Sequence, residues 1–303
     1  MTKHIYTLII FFLFLSGLSA QKKTYLLDGE FLDMLHKKLD SSFILLGNDR
    51  LLSYNYSTGH SEVFREDMEG FYKLFKLDSS TIIICDRKGK VLKYDLNKQE
   101  IIEELFFELP ISSSSEYADN GVFYLGDLNG HLFKVFDSNT EMQEFEFKNS
   151  GPITGISVFD DKNILITTLS GRVYLKEEND FKLIKTTGKL SMGLLKGEPT
   201  YILGPRSKVY TYQHPGEWKE RDFGASSIKS LTCFDNDAVL GVDINNRLIF
   251  NSQLLTYRSS ATSNKIYKAY AIEEGYLYFY FVSEKGFGKM LSKDLTVIIN
   301  PSF

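Results

Sequence analysis

The sequence predicts an all-β fold built from seven repeats of one four-stranded unit. Two independent markers return in step about every 40 residues, which is the period expected of repeated four-stranded units. Short apolar runs alternate with Gly, Asn, Asp and Ser, which favour turns. Aromatic residues make up 14% of the chain, with 24 Phe and 18 Tyr, and such side chains favour strands.

The first marker is a basic residue followed by two apolar residues, a pattern that begins a strand. It occurs at Arg50, Lys90, His131, Arg172, Lys208, Arg247 and Lys289. The second marker is an acidic or polar turn before a β-rich run, as in LDSS at 39–42 and again at 77–80. Two markers with one period are far harder to obtain by chance than one.

The unit at 149–187 shows the four strands most clearly. Its apolar runs predict strands over Ile153–Phe159, Ile164–Leu169, Arg172–Lys176 and Phe181–Lys185. Asp160–Asn163 and the Ser170-Gly171 pair supply the turns.

The first strand of several units carries small residues, at 112–115, 154–155, 191–193 and Ser230. We expect this if the first strands crowd around a common axis. Seven small sheets placed radially make a β-propeller, so we predict one propeller domain over 21–303, with six or eight blades as alternatives. Thr24–Leu27 is expected to close the ring by completing the last blade.

The segment GKVLKYD at 89–95 resembles the third strand of WD40-like and quinoprotein-like β-propeller repeats. Their general form is Gly-x-Val-x-x-aromatic-Asp, and the pattern extends over most of the chain. The resemblance implies a propeller. The chain has one Trp and therefore lacks the tryptophan belt of quinone-dependent enzymes, so no cofactor is expected.

Residues 1–20 have the layout of a secretory signal peptide, with Lys3 before the apolar run 9–15 and small residues ending at Ala20. We therefore predict an exported protein, periplasmic or extracellular, without a membrane span. The net charge of −4 gives no indication of nucleic-acid binding. The two cysteines, Cys85 and Cys233, fall at different offsets of distant repeats and are expected to be free.

No motif predicts catalysis or metal binding. The five histidines lack zinc-ligand spacing, and no G-x-S-x-G sequence occurs. The turns DRKG at 86–89 and DLNG at 127–130 contain fewer acidic positions than a calcium loop and are interpreted as ordinary turns.

The candidate binding residues are the seven basic residues of the first marker, which a propeller would place at one rim. They form either a ring that attracts an anionic partner or caps paired with acids of the same turns, such as Asp49, Asp86, Asp127, Asp243 and Glu284. Trp218, beside the Pro215-Gly216 turn on the opposite face, is either a packing residue or an exposed anchor. The irregular stretches 106–115 and 286–288 are expected to line the channel mouth.

These observations predict a non-catalytic propeller that binds a protein partner or, as a further possibility, an anionic glycan or another anionic ligand. The alternative is an enzyme with its site in the central channel, either a metal-dependent lactonase-like hydrolase or a carbohydrate-active lyase. A third possibility is a sugar-binding protein with Tyr and Trp platforms. Carboxylates, Asn or His converging in the channel would favour an enzyme, whereas Ser, Gly and apolar side chains would favour a binding protein.

Overall fold

The computed structural model describes residues 24–117, 121–136, 139–147, 150–160, 163–177, 180–188, 193–195, 200–213, 216–222, 227–234, 238–251, 255–294 and 296–299. The predicted signal peptide, residues 1–20, lies outside these residues.

The strands form seven antiparallel sheets, and each sheet is one blade of a propeller. Within each of the first six blades, consecutive strands pair in chain order, so the first strand is innermost. Blade 1 contains β2 (Phe31–Lys37), β3 (Ser42–Gly47), β4 (Arg50–Asn55) and β5 (Ser61–Glu66). Blade 2 contains β6 (Phe71–Lys76), β7 (Thr81–Asp86), β8 (Lys90–Asp95) and β9 (Glu100–Phe106). Blade 3 contains β10 (Ile111–Ser114), β11 (Val122–Asp127), β12 (His131–Phe136) and β13 (Asn139–Glu146).

Blades 4 to 6 follow the same order. Blade 4 contains β14 (Ile153–Val158), β15 (Ile164–Thr168), β16 (Arg172–Glu177) and β17 (Asp180–Thr186). Blade 5 contains β18 (Gly193–Leu195), β19 (Thr200–Leu203), β20 (Lys208–Gln213) and β21 (Glu217–Asp222). Blade 6 contains β22 (Ile228–Cys233), β23 (Val239–Asp243), β24 (Leu248–Asn251), β25 (Leu255–Arg258) and a fifth strand, β29 (Thr296–Ile299).

Blade 7 closes the ring with a strand from the other end of the chain. Its strands are β26 (Ile266–Glu273), β27 (Leu277–Ser283), β28 (Gly286–Leu291) and, on the outside, β1 (Thr24–Asp28). β1 pairs antiparallel with β28, which confirms the predicted closure by Thr24–Leu27. The backbones of β1 and β28 approach closely, because a Cβ on Gly286 would lie 2.4 Å from the Leu27 carbonyl oxygen.

The hydrophobic core is divided among the interfaces between blades. Seven buried clusters occur in the described residues, one at each interface between neighbouring blades around the ring. The cluster between blades 7 and 1 is the most aromatic, and the Phe43 ring lies within 6 Å of several neighbouring rings. Because a blade buries its faces only against its neighbours, closure of the circle stabilises every blade.

The structure confirms the seven-bladed propeller predicted from the repeats. In the unit at 149–187, each observed strand bound lies within one residue of its predicted position. One part of the pattern is wrong: Lys289 lies within β28, which begins at Gly286, so it does not begin a strand. Cys85 lies buried in blade 2, while Cys233 lies half-buried in blade 6. No helix among the described residues has the length and apolarity needed to cross a membrane.

Candidate functional site

A cavity of about 440 Å³ lies at the centre of the ring. The inner strands of six blades line it, and blade 5 contributes Leu203 from its second strand. This volume lies within the range of about 300–1,000 Å³ that is typical of small-molecule sites. The predicted small residues Ser113, Thr154 and Ser230 do line the cavity, as expected for strands that crowd around the axis.

A β-bulge that recurs in the inner strands turns side chains toward the cavity. In six blades, the inner strand shifts its register by one residue near its start, for example between Phe71 and Lys73 in blade 2. A bulge redirects the side chains around the extra residue. Accordingly, consecutive residues both line the cavity in blade 2 (Tyr72 and Lys73) and in blade 7 (Tyr267 and Lys268).

The described cavity wall carries three lysines and one carboxylate: Lys73, Lys229, Lys268 and Asp33. Lys268 Nζ lies 3.0 Å from Asp33 Oδ1, so these two charges form an ion pair between blades 7 and 1. Lys73 Nζ donates to the backbone carbonyl of Ser112 at 2.5 Å. Lys229 and its partner are both on blade 6, where Lys229 Nζ lies 2.6 Å from the Asn246 side-chain oxygen.

Asp33 is buried and is held by three hydrogen-bond donors. Its carboxylate accepts bonds from the backbone N–H of Met34 at 2.8 Å and from that of Leu74, in blade 2, at 2.9 Å. The third donor is Lys268 of blade 7. Asp33 therefore links three consecutive blades at the point where the ring closes.

Burial acts on each of the cavity lysines. It lowers the pKa of Lys73, an effect that nearby Lys268 reinforces and Asp33 opposes. Burial also lowers the pKa of Lys229, together with the charge of Lys265. For Lys268, burial favours the neutral amine, but Asp33 and Tyr270 together outweigh this effect and raise the pKa. Asp33 forms an ion pair with Lys268. The other two lysines of this wall, Lys73 and Lys229, have no carboxylate partner among the contacts that the structure gives them.

The charges occupy only part of the wall. Blades 6, 7, 1 and 2 supply the charged residues, together with the rings of Tyr72, Tyr267 and Tyr270. The Tyr72 hydroxyl donates to the Ile111 carbonyl at 2.6 Å, and the Tyr267 hydroxyl donates to Glu30 Oε1 at 2.5 Å. The described wall of blades 3 to 5 is uncharged and consists of hydroxyl, glycine and aliphatic groups.

The cavity lysines lie near the same face as the predicted basic turns. Lys73 is paired with Cys85, directly before Asp86, and the turn from Asp86 leads to Lys90. In the same way, Lys268 is paired with Val282, directly before the turn at Ser283–Gly286. The cavity and the basic turns therefore belong to one face of the disc.

The basic residues of these turns mostly contact acids. In five of them a side-chain nitrogen lies within 4 Å of a carboxylate oxygen. The pairs and their N–O distances are Arg50–Asp49 at 3.9 Å, Lys90–Glu104 at 3.0 Å, His131–Asp127 at 2.8 Å, Lys208–Glu220 at 2.6 Å and Arg247–Asp243 at 2.7 Å. Arg172 contacts the Ser150 hydroxyl at 3.4 Å, and Lys289 Nζ lies over the Tyr278 ring. In the described contacts, the acids therefore balance much of the positive charge of the rim.

The turn carboxylates have a structural use. Asp86 Oδ1 accepts the backbone N–H groups of Lys88 and Lys90. Asp127 accepts N–H groups from its own turn in the same way. Within the described chain, no group of three or more His, Cys, Asp or Glu residues is placed to hold a metal ion.

Trp218 lies on β21, the outer strand of blade 5. Its ring lies 4.8 Å from that of Tyr212, and Lys185 Nζ lies 4.6 Å from its centroid. The side chain is half-buried against the cluster between blades 4 and 5. Of the two irregular stretches expected at the channel mouth, 106–115 contributes Ser113 and Ser114 to the cavity wall, whereas 286–288 lies in β28, two strands away from the channel.

Sequence reasoning missed Asp33, Lys73, Lys229 and Lys268. Their signal was a charged residue in an otherwise apolar or small first strand, as in FLD at 31–33, FYK at 71–73 and IYK at 266–268. A charge in a strand that faces the axis has no solvent side to occupy, so it marks the channel wall.

No protein-family model matches the chain, and no curated protein matches it in sequence. Solved structures do match. The β-propeller domain of Cps50 (Swd1) from Myceliophteria thermophila has a TM-score of 0.72 at 12% identity, covering 89% of this chain and 99% of that chain. A chain of the mitotic checkpoint complex has a TM-score of 0.67 at 12% identity, covering 83% of this chain and 86% of that chain.

A bacterial structure is similar to the same extent. It is the extracellular domain of BT4673 from B. thetaiotaomicron, assigned to a hybrid two-component system, with a TM-score of 0.68 and 17% identity. The match covers 89% of this chain and 39% of that chain, so this chain spans about two fifths of that domain's length. At these identities the similarity shows the fold alone.

Proposed function

We propose that this protein is an exported, non-catalytic binding protein that holds an anionic ligand in its central cavity. The observation that carries the proposal is the described part of the cavity wall, where three lysines accompany one carboxylate. A partly enclosed cavity strengthens electrostatic attraction, because its low-dielectric walls screen charge less than water does.

Export is supported by the signal-peptide layout of residues 1–20. It is also supported by the similarity to a domain described as extracellular. The mature protein would then act in the periplasm or outside the cell.

The composition of the wall supports binding over metal-dependent hydrolysis. A hydrolase of the kind considered would need several acidic or metal-binding groups around its substrate. The one carboxylate on the described wall, Asp33, is engaged by Lys268 and by backbone N–H groups.

A protein partner is the second candidate. The face that bears the cavity also carries Arg50 and Lys208, whose side chains are 39% and 41% exposed and could exchange their acidic neighbours for acids of a partner. One of the similar structures is a chain of an assembled complex, the mitotic checkpoint complex. Charge reversal at both positions would abolish such docking and leave small-ligand binding in the cavity unchanged.

Titration calorimetry at low ionic strength would test the main proposal with acetate, sulfate, glutarate and neutral glucose. We expect at least one anion to bind, and Lys73→Met to weaken its binding about tenfold, the effect of one lost charged hydrogen bond. Lys88→Met is the matched control, since Lys88 is exposed in a turn of the same blade and should bind as the wild type.

Added salt should weaken this binding. The proposal is wrong if no anion binds at low salt, or if glucose binds as tightly as the anions and Lys73→Met has no effect.

A further inference from the structure

The cationic groups of the described cavity wall fall into two sets with different contacts. Lys268 Nζ lies 3.0 Å from Asp33 Oδ1, and Lys73 directly precedes Leu74, whose N–H donates to Asp33 Oδ2 at 2.9 Å, so both lysines belong to the part of the wall around Asp33. Lys229 Nζ instead contacts the side-chain oxygen of Asn246, on its own blade, at 2.6 Å. These two sets are called the double-lysine place (Lys73 with Lys268) and the single-lysine place (Lys229).

Lys73 and Lys229 lie on opposite sides of the ring, whereas Lys268, on blade 7, is on the blade next to that of Lys229. Lys73 comes from blade 2 and Lys229 from blade 6, with blades 7 and 1 between them on the short way around the ring. In a ring of seven, this is as far apart as two blades stand. Both lysines nevertheless line the same cavity.

The charge count calls for two negative charges. Three lysines and one carboxylate leave an excess of two positive charges on the described wall. A compact anion such as phosphate meets one of the two places and leaves the other half-buried lysine without a carboxylate in direct contact, which is unfavourable. Two acidic groups on one molecule can meet both places at once.

The wall between the two places suits an uncharged spacer. Among the described residues, the wall of blades 3 to 5 is formed by uncharged side chains and glycine: Ser113, Ser114, Thr154, Gly155, Ile156 and Leu203. Such a wall accommodates methylene or hydroxyl-bearing carbons without demanding a further ionic group.

We propose that the ligand is a small dianion whose two acidic groups, carboxylates in the simplest case, are joined by an uncharged spacer. One group lies between Lys73 and Lys268, and the other binds Lys229. This inference rests on the proposed anion-binding function and narrows it to a class of ligand.

Calorimetry on the full mature chain would test it with succinate, glutarate, adipate and pimelate, compared with butyrate and inorganic phosphate. We expect affinity to pass through an optimum as the diacid lengthens, and the best diacid to bind at least about tenfold more tightly than butyrate, since it gains a second charged contact. Lys229→Met should weaken the best diacid about tenfold and weaken butyrate less than about threefold, because butyrate keeps the double-lysine place.

Lys229→Arg provides a second variant that retains the charge, and it should restore most of the preference for the diacid. The dianion class is wrong if butyrate or phosphate binds as tightly as every diacid, or if Lys229→Met affects butyrate and diacids equally; anion binding itself would then still stand. Absence of binding by every anion would instead contradict the proposed function.

Discussion

Replacement of Asp33 by alanine should destabilise the ring at its closure. The carboxylate accepts from Lys268 of blade 7 at 3.0 Å and from the Leu74 N–H of blade 2 at 2.9 Å. Removing one partner of a buried ion pair costs about 3–5 kcal/mol, and the lower end applies here because the Lys268 side chain is 21% exposed. The unpaired Leu74 N–H adds about 1–2 kcal/mol, so we expect a total loss of about 4–5 kcal/mol.

Urea unfolding followed by the fluorescence of Trp218, the single Trp of the chain, would measure this loss. Asp33→Asn keeps an acceptor for Leu74 but loses the charge, so it should cost less than Asp33→Ala. The double variant Asp33→Ala with Lys268→Met should be at least about 1 kcal/mol more stable than the sum of the single effects predicts, because it removes the unpaired ammonium.

Asp33→Ala should also act on binding in the opposite direction. It raises the excess charge of the described cavity wall, so anions should bind more tightly to the variant even though it unfolds more easily. A stability loss below about 1 kcal/mol, or additive effects of the two substitutions, would refute the idea that Asp33 links the blades.

Three further predictions follow from other contacts. Gly286→Ala should lower stability by about 1–3 kcal/mol in urea unfolding, because its Cβ would meet the Leu27 carbonyl oxygen of the closing strand at 2.4 Å, whereas Gly216→Ala, which meets nothing within 4 Å, should change little. Burial, with the charge of Lys38, lowers the pKa of His36 from 6.5 to about 4 in the folded protein. As the pH falls from 6.5 towards 4, His36 is therefore protonated in the unfolded chain but not in the folded one, and stability is lost. His36→Phe should reduce that loss by about 2 kcal/mol, allowing for partial exposure of the ring, and equal pH dependence in both proteins would contradict this reasoning. Anion affinity should fall as the pH rises through the lowered pKa of Lys73, below the ordinary value of 10.5, with proton uptake on binding in that range; a flat profile up to pH 10.5 would contradict it.

The blades could be predicted from the repeats because a four-stranded unit has a local sequence pattern, with turn residues at the ends of strands and apolar runs within them. The unit at 149–187 and the closing strand β1 were predicted on this basis, and both are observed. The pairing of β29 with β25 in blade 6 joins segments far apart in the chain, so no local sequence pattern predicts it.

The cavity was harder to predict than the fold. The bulge that directs Lys73 and Lys268 inward is a register shift, which depends on pairing with the neighbouring strand and not on local composition. The sequence overstated the positive charge of the rim. Its basic residues repeat visibly along the chain, but the acids that pair with them, such as Glu104 and Glu220, lie on outer strands and meet them only in the folded blade.

The most direct test of the account is a crystal structure of the mature protein soaked with selenodipropionate, a linear dicarboxylate that carries one selenium atom. The account predicts anomalous selenium density inside the central cavity, with one carboxylate at Lys73 and Lys268 and the other at Lys229. Selenium found only on the rim, or no bound selenium while the cavity lysines keep their present contacts, would contradict it.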